Sequence, residues 1–377
     1  MKKVYLDNAA TTPIAQEVID VMQISMQDNF GNPSSTHQFG RKARTLVENS
    51  RKNIAKLLQI TAAEIIFTAG GTEADNLILQ NAVTKLDVKR IITSKVEHHA
   101  VIHTIDFLQE KYGIDVDYVD LDLLGDISLE HLEKLLKNSK KKTLVSLMYI
   151  NNEIGNILPL KIVCDLCEKY QALFHSDTVQ AIGHYSIDLQ KLPIDFIAAS
   201  AHKFHGPKGV GFAYFKRGYV VQPMFHGGDQ ENGARSSTEN VHGILGMEKA
   251  FIIASETLEK DKSKMNLLKL FFIEQLKLIH SGIRFNGQSS DIEKSSCTIL
   301  NVLLPIKNEL LLFNLDLNGV AVSGGSACQS GGNKGSHVLS EISDKDDESF
   351  TSVRFSFSRY TTKNDIIYAI QQLKKLL

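Results

Sequence analysis

The 377-residue chain reads as an α/β protein: a mostly parallel, helix-covered sheet followed by a smaller α+β domain. Three observations predict this. Short β-rich runs alternate with helix-period segments from about residue 64 to residue 215. From about Ser236 the pattern changes to a long helical stretch, and then to short strands mixed with helices. The length and a hydrophobic content of 43% suffice for one large core and a smaller second one.

Taken in order, Glu64–Thr68 is a strand, followed by a glycine pair and a helical pattern over Thr72–Val83. Arg90–Ser94 is a strand and His99–Tyr112 a helix. Val116–Leu121 is a strand, Ser128–Asn138 a helix and Thr143–Tyr149 a strand. Pro159 opens a helix to Tyr170, since proline suits a first helical turn. Strands follow near Ala172–Ser176, Phe196–Ser200 and Gly211–Phe215. The stretch from Ser236 to Ser281 reads as two helices. Beyond it, Cys297–Leu303, Val320–Ser323 and Ser352–Phe357 are strands, and Lys307–Asn318 and Lys363–Leu377 helices. The large domain is expected over residues 13–255. The small domain takes residues 256–377 and is joined by an N-terminal arm, residues 1–12.

The bulk numbers exclude several function classes. Forty-two basic side chains against 43 acidic ones leave no excess that would seek nucleic acid. The run Lys140-Lys141-Lys142 is expected to be a solvated loop. No apolar run is long enough to span a bilayer, and MKKVYLDNAATTP lacks the apolar stretch of a secretory signal. Four cysteines in so long a chain make no disulfide framework, so a cytoplasmic location is expected.

Three segments carry chemistry. Lys203 follows the apolar strand Ile197–Ala199 and is flanked by small residues, with Gly206, Gly209 and Gly211 behind it. A lysine so placed can lose its proton and become a nucleophile or Schiff-base former. Asp177 ends a strand 26 residues earlier, about one βαβ step, in the crevice where open α/β sheets bind ligands. Pyridoxal phosphate needs this pair: a lysine for its aldehyde and an acid for its pyridine nitrogen. In Phe67-Thr68-Ala69-Gly70-Gly71-Thr72-Glu73-Ala74-Asp75-Asn76, a strand meets a glycine pair and Thr72 begins a helix. Free N–H groups at such a helix start cradle phosphate. Glu73–Asn76 otherwise reads as a plain helix start.

These blocks resemble the class V aminotransferase family and the cysteine desulfurases within it, of the iron–sulfur-cluster and nitrogenase-maturation type. The resemblance runs the whole length. It includes Tyr5-Leu6-Asp7-Asn8-Ala9-Ala10, Asn32-Pro33-Ser34-Ser35, Glu97-His98-His99-Ala100, Asn151-Asn152-Glu153, Arg235-Ser236-Ser237-Thr238, Gly325-Ser326-Ala327-Cys328 and Val353-Arg354-Phe355-Ser356. It implies fold type I of the pyridoxal-phosphate enzymes, with a seven-stranded sheet.

By the same resemblance Lys203 forms the aldimine, Asp177 pairs with the pyridine nitrogen and Gln180 bonds the ring oxygen. His98 stacks on the ring and assists proton transfer. Gly71, Thr72, Ser200 and His202 hold the phosphate. Thr238 reaches the phosphate of a neighbouring subunit, which implies a homodimer. Asn152, counted with the cofactor site as well, and Arg354 hold the substrate carboxylate. The implied reaction turns L-cysteine into L-alanine and leaves its sulfur as a persulfide on Cys328, for a protein acceptor such as an iron–sulfur scaffold or a sulfur carrier. Another class V enzyme, a selenocysteine lyase or an aminotransferase, would share every feature except dependence on Cys328. A non-catalytic scaffold would need neither Lys203 nor Asp177. Three positions depart from the family pattern: Ala69 where serine is common, and Ser237 and Ser358 where glycine is usual.

Cys328 lies in Gly324-Gly325-Ser326-Ala327-Cys328-Gln329-Ser330-Gly331-Gly332, a composition expected to be flexible and unlike the packed setting of a structural cysteine. Its loop length resembles the long-loop desulfurases. Cys164 and Cys167, spaced three apart on one predicted helix face, are expected to be buried core residues and not a redox or metal pair, and Cys297 likewise. No histidine spacing suggests a metal site.

Overall fold

The computed structural model describes residues 2–138, 140–324, 335–342 and 350–377. Cys328 and Lys334 lie outside the described residues. The chain opens with β1 (Val4–Tyr5), α1 (Gln16–Asp28) and α2 (Gln38–Leu57). It continues with β2 (Ile65–Thr68), α3 (Gly71–Thr84), β3 (Arg90–Thr93), α4 (His99–Tyr112), β4 (Asp115–Tyr118), α5 (Leu129–Lys137), β5 (Thr143–Ser146) and α6 (Leu160–Lys169). Then come β6 (Leu173–Asp177), β7 (Phe196–Ser200), β8 (Gly211–Phe215) and α7 (Val241–Ile279). The last part holds β9 (Arg284–Phe285), β10 (Ile299–Leu304), α8 (Leu311–Leu317), β11 (Val320–Ala321), α9 (His337–Ile342), β12 (Thr351–Ser356) and α10 (Lys363–Leu376).

Seven strands form the large sheet in the order β2-β8-β7-β6-β5-β3-β4. The pairs from β7 through β4 are parallel, while β8 runs antiparallel to both β7 and β2. Every residue of β3, β5, β7 and β8 is buried, because helices cover both faces of this sheet. One face packs Val18 of α1, Val47 and Ile54 of α2, and Val163, Cys164 and Cys167 of α6, together with the front of α7. The other face packs Leu77 and Ile78 of α3 and Val101, Ile105 and Leu108 of α4.

A second core lies around β10, which pairs antiparallel with β12 and with β9. It draws Met265, Phe272 and Leu276 from the back of α7, Leu315 from α8, Ile366 and Leu373 from α10, and Val4 and Leu6 from the N-terminus. The N-terminal arm is stitched in by the parallel pairing of Val4 with Val320 and of Tyr5 with Ala321. Asp7 then bridges to Ser356.

The stretch expected as two helices is one, 39 residues long. Its front, Val241 to Phe251, belongs to the first core, and its back from Met265 to the second. The polar residues between them look like a break in the sequence, but they are a solvated helix crossing from one core to the other. Helices α1 and α2 stand where the sequence reading assigned no element.

Candidate active site

The cleft is built at the carboxyl ends of β6 and β7, where Asp177 stands opposite Ala198 in parallel register. Asp177 is the last residue of β6, and its Oδ1 accepts the Val179 N–H at 2.8 Å, which turns the chain away from the sheet. Burial pushes its carboxyl up to about 6, against the pull of the Lys203 ammonium.

Past β7 the chain enters one tight 3-10 turn, Ala201–Lys203. Gly206 closes that turn, because a Cβ there would lie 2.8 Å from the Ala201 Cβ and carbonyl oxygen. Lys203 Nζ donates to the carbonyls of Ala9 at 2.6 Å and Ala10 at 2.8 Å. Gln180 Nε2 donates to the same Ala9 carbonyl at 3.0 Å. The N-terminal arm thus holds one wall of the cleft.

The glycine pair after β2 starts α3 with no side-chain cap. A Cβ on Gly71 would lie 2.6 Å from Val179 Cγ2, so only glycine lets this helix end approach so closely. Thr72, Ser200 and His202 line both the Lys203 cleft and an adjoining hollow that Gly70 and Lys208 also face. His202 Nδ1 lies 3.1 Å from Thr11 Oγ1, and burial beside Lys203 lowers its ring to about 4.

His98 caps α4, its Nδ1 accepting the Ala100 N–H at 3.1 Å. Burial, with Lys203 and His337 nearby, lowers it to about 4, so at neutral pH the ring is uncharged. Arg354, on β12, reaches in from the second core and is 1% exposed. Its Nη1 donates to the Asn152 carbonyl at 2.8 Å and its Nη2 to Asp7 Oδ1 at 2.9 Å. Its Nε is buried without a hydrogen-bond partner among the described residues.

One cleft is therefore lined by Lys203, Asp177, Gln180, His98, Asn152, Gly71, Thr72, Ser200, His202 and Arg354. Thr238 is not among its lining residues and is exposed in the single chain. Cys328 lies outside the described residues. Cys164 and Cys167 are 0% and 1% exposed, deep on α6, and burial pushes both thiols upward, that of Cys164 to about 12.

Four neighbours of the cleft were given no role by the sequence reading. Asp75 of α3, Glu97, Asp7 and His337 each face it or pack directly behind it. Asp75 sits four residues after Gly71 on the face that also buries Ile78 and Leu79, a spacing that could have marked it as buried. His337 lies between Glu97, whose carbonyl is 2.8 Å from its Nε2, and His99, with ring centroids 4.3 Å apart.

A lysine and an acid at the ends of neighbouring parallel strands, with a glycine-opened helix start beside them, define a pyridoxal-phosphate type of α/β enzyme. The aminotransferase class-V family model matches residues 4–368, so the chain belongs to that family. Within it the chain groups with the cysteine desulfurases, which are pyridoxal-phosphate enzymes. It is 41% identical over 378 residues to the cysteine desulfurase IscS of Dictyoglomus turgidum, covering 100% of this chain and 95% of that protein. Its structure is similar to that of a NifS-like protein, with a TM-score of 0.90 at 35% identity and coverage of 100% and 99% of the two chains. It is also similar to SspA in complex with cysteine, with a TM-score of 0.81 at 30% identity over 95% of this chain and 100% of that one.

The residues present fit pyridoxal phosphate. Asp177 is a buried carboxylate that a cationic ring N–H would satisfy. The uncapped start of α3 offers its free N–H groups to an anion, and Gly71 lets that helix end pack against Val179, where a Cβ would lie 2.6 Å from Cγ2.

Proposed function

We propose that this protein is a pyridoxal-phosphate cysteine desulfurase: it converts L-cysteine to L-alanine and delivers the sulfur as a persulfide on Cys328. The observation that carries the reading is the meeting, in one cleft, of the Lys203 amine, the buried Asp177 carboxylate and the buried Arg354 guanidinium. SspA, a relative by structure, is described in complex with cysteine.

The roles are those that the family resemblance implies, and the chemistry of each side chain suits its role. Gly71, Thr72, Ser200 and His202 would hold the cofactor's phosphate, Gln180 would bond its ring oxygen, and Asp177 would keep its ring nitrogen protonated. When bound, pyridoxal phosphate supplies the electron-accepting ring that makes the substrate's α-proton acidic. Arg354 and Asn152 grip the substrate carboxylate, with the guanidinium offering its donors as a fork. Lys203 would take the α-proton at Nζ, and the neutral His98 ring, which lines the same cleft, would accept or return a proton.

The thiolate of Cys328 attacks the substrate sulfur. An S–S bond forms, the Cβ–S bond breaks, and its electron pair stays with the carbon, which is then protonated to give alanine. One cysteine and one thiol thus become one alanine and one persulfide, with no outside oxidant.

The same reading divides the chain into a large domain, residues 13–255, and a small domain of residues 1–12 and 256–377. The second core, which takes in Val4 and Leu6, supports that division. The protein acts as a cytoplasmic homodimer in which the exposed Thr238 serves the partner's phosphate site, and it hands sulfur to a protein acceptor of iron–sulfur assembly or tRNA thiolation. No helix among the described residues is long and apolar enough to cross a membrane.

The test is direct. Purified protein loaded with pyridoxal phosphate and given L-cysteine and a reducing thiol should release alanine and sulfide in equal amounts. Alanine or sulfide absent, or transamination to a keto acid in their place, overturns the assignment.

A further inference from the structure

Behind Asp177 the structure buries more acid than the reaction uses. Asp75, on α3, is 1% exposed, and its Oδ1 has no hydrogen-bond partner among the described residues. That oxygen lies 3.4 Å from Nε2 of His175, itself 0% exposed and likewise without a hydrogen-bond partner there. On the far side of the imidazole, Nδ1 is 2.9 Å from Ser146 Oγ on β5. The two unmatched atoms therefore face each other across a gap that one proton would close into a hydrogen bond.

The charges around the gap come from four elements. From β6 they are His175 and Asp177, and from α3 Asp75. The turn before α4 supplies Glu97 and His98, and the turn after β7 supplies Lys203. Glu97 is 1% exposed and keeps Oε2 unpartnered among the described residues, while Oε1 accepts from Ser94 and from the Met148 N–H. Three buried carboxyls thus neighbour one another, with the Lys203 ammonium beside Asp177 and histidines that burial keeps neutral. Like charges so close in low dielectric cannot all ionise. Burial together with Asp177 and Glu97 drives the Asp75 carboxyl well upward, and burial drives the His175 ring down to about 3.

We propose that Asp75 and His175 together retain one proton at neutral pH, acting as positioning residues that leave Asp177 the ionised carboxylate facing the cofactor's ring nitrogen. The proton sits on Asp75 and is donated to Nε2 of the neutral His175 ring, so the pair is neutral. The proposal rests on the reading of Asp177 as the ring-nitrogen partner. Retaining the proton is what allows Asp177 to carry its charge without a second carboxylate beside it.

The linkage sign is specific. The unfolded chain loses the Asp75 proton near pH 4 and the His175 proton near 6.5. The folded pair keeps its one proton above both values, so above about pH 6.5 the folded state binds more protons and stability falls as pH rises. In Asp75→Asn, His175 alone is neutral when folded, so stability rises with pH up to about 6.5 and is then level. The stability of Asp75→Asn relative to wild type should therefore grow steadily from about pH 4 through neutrality, at up to tenfold in the folding equilibrium per pH unit. A purely structural role gives a constant offset.

The experiment uses the apoprotein and the holoenzyme. Infrared spectra of wild-type apoprotein at neutral pH should contain the carbonyl stretch of a protonated, buried carboxylic acid. Asp75→Asn should remove a component of that band, and His175→Gln should shift it. In the holoenzyme, Asp75→Asn should leave the pH titration of the bound cofactor's absorbance where wild type has it, since a neutral group replaces a neutral pair. Absence of any protonated-carboxyl band in wild type overturns the proposal without needing a variant to fold. So does a band untouched by Asp75→Asn, or a pH-independent stability offset. A wild type that binds no pyridoxal phosphate would instead overturn the functional reading and leave the infrared result standing.

Discussion

Asp7 and Arg354 form an ion pair across 347 residues, with Asp7 Oδ1 2.9 Å from Arg354 Nη2. The pair ties the N-terminal arm to β12 at the mouth of the cleft. Ser323 completes the junction: its hydroxyl donates to the same Asp7 oxygen at 2.9 Å, and its carbonyl accepts the Arg354 backbone N–H at 2.6 Å. With Nη1 on the Asn152 carbonyl and Nη2 on Asp7, the guanidinium has one plane available to it, and Nε, without a partner among the described residues, lies in that plane.

The first prediction separates aim from charge at that junction. Asp7→Asn keeps an acceptor for Nη2, so KM for cysteine should stay within about threefold of wild type. Asp7→Ala removes the acceptor, leaves the positive charge in place, and should raise KM about tenfold, the equivalent of one lost hydrogen bond. Arg354→Ala should raise it on the order of 100-fold with cofactor content unchanged, and Arg354→Lys should recover little, because an ammonium has no fork. Steady-state kinetics on the four variants decide it. A lower KM in both Asp7 variants would mean that charge, not orientation, governs carboxylate capture.

The second concerns Ser237. Its φ is 103°, a backbone region that side chains rarely enter, at a position where the family usually has glycine. Ser237→Gly should relieve that strain and stabilise the protein by about 1 kcal/mol. Thermal unfolding should shift upward by about 1–2 °C, with cofactor content and turnover unchanged. An unchanged or lower midpoint would show that the serine hydroxyl contributes more than its backbone costs.

The third concerns Cys164 and Cys167. Both are fully buried on α6 among the residues that pack one face of the large sheet, and burial holds both as thiols. Replacing both with alanine should cost about 1–3 kcal/mol in stability through lost packing. Turnover per folded, cofactor-loaded site should not change. Lost turnover with normal folding and cofactor content would assign the pair a chemical role.

What the sequence made legible follows from which physical signals are local. Strands β2, β3, β5, β7 and β8 announce themselves as buried apolar runs, unlike the half-exposed β4, and His99–Tyr112 matches its expected helix because His98 caps it and Gly113, at φ 64°, ends it. Lys203 and Asp177 were legible because their chemistry is rare at strand ends. Helix α7 was read as two because the polar residues between its two packed ends imitate a linker. Asp75 escaped notice because an acid in the first turns of a helix has an ordinary explanation, stabilising the helix start. Its spacing with Ile78 and Leu79 hinted at burial, but only the tertiary structure reveals that it faces His175, with other carboxyls at its back. Asp7 was hidden for a similar reason: a partner 347 residues away leaves no trace in spacing.

The last prediction concerns Cys328, on which the proposed reaction turns. The attacking group must be a thiolate, since a thiol is a poor nucleophile and a hydroxyl poorer still. Cys328→Ser preserves shape and removes the atom that can accept sulfur. Apart from Cys328, the protein has three cysteines, Cys164, Cys167 and Cys297, all buried, so none of them can substitute at the cleft. The variant should load with cofactor and bind cysteine, shown by the absorbance change on mixing, yet its alanine production should fall by three orders of magnitude or more, as expected when a covalent nucleophile is lost. Wild-type protein treated with cysteine, alkylated and digested should carry one extra sulfur on the peptide containing Cys328 and on no other cysteine peptide. Mass spectrometry of the two samples gives the answer. Normal alanine output from Cys328→Ser would show that sulfur leaves without passing through the protein, and the enzyme would then be a lyase of the same family.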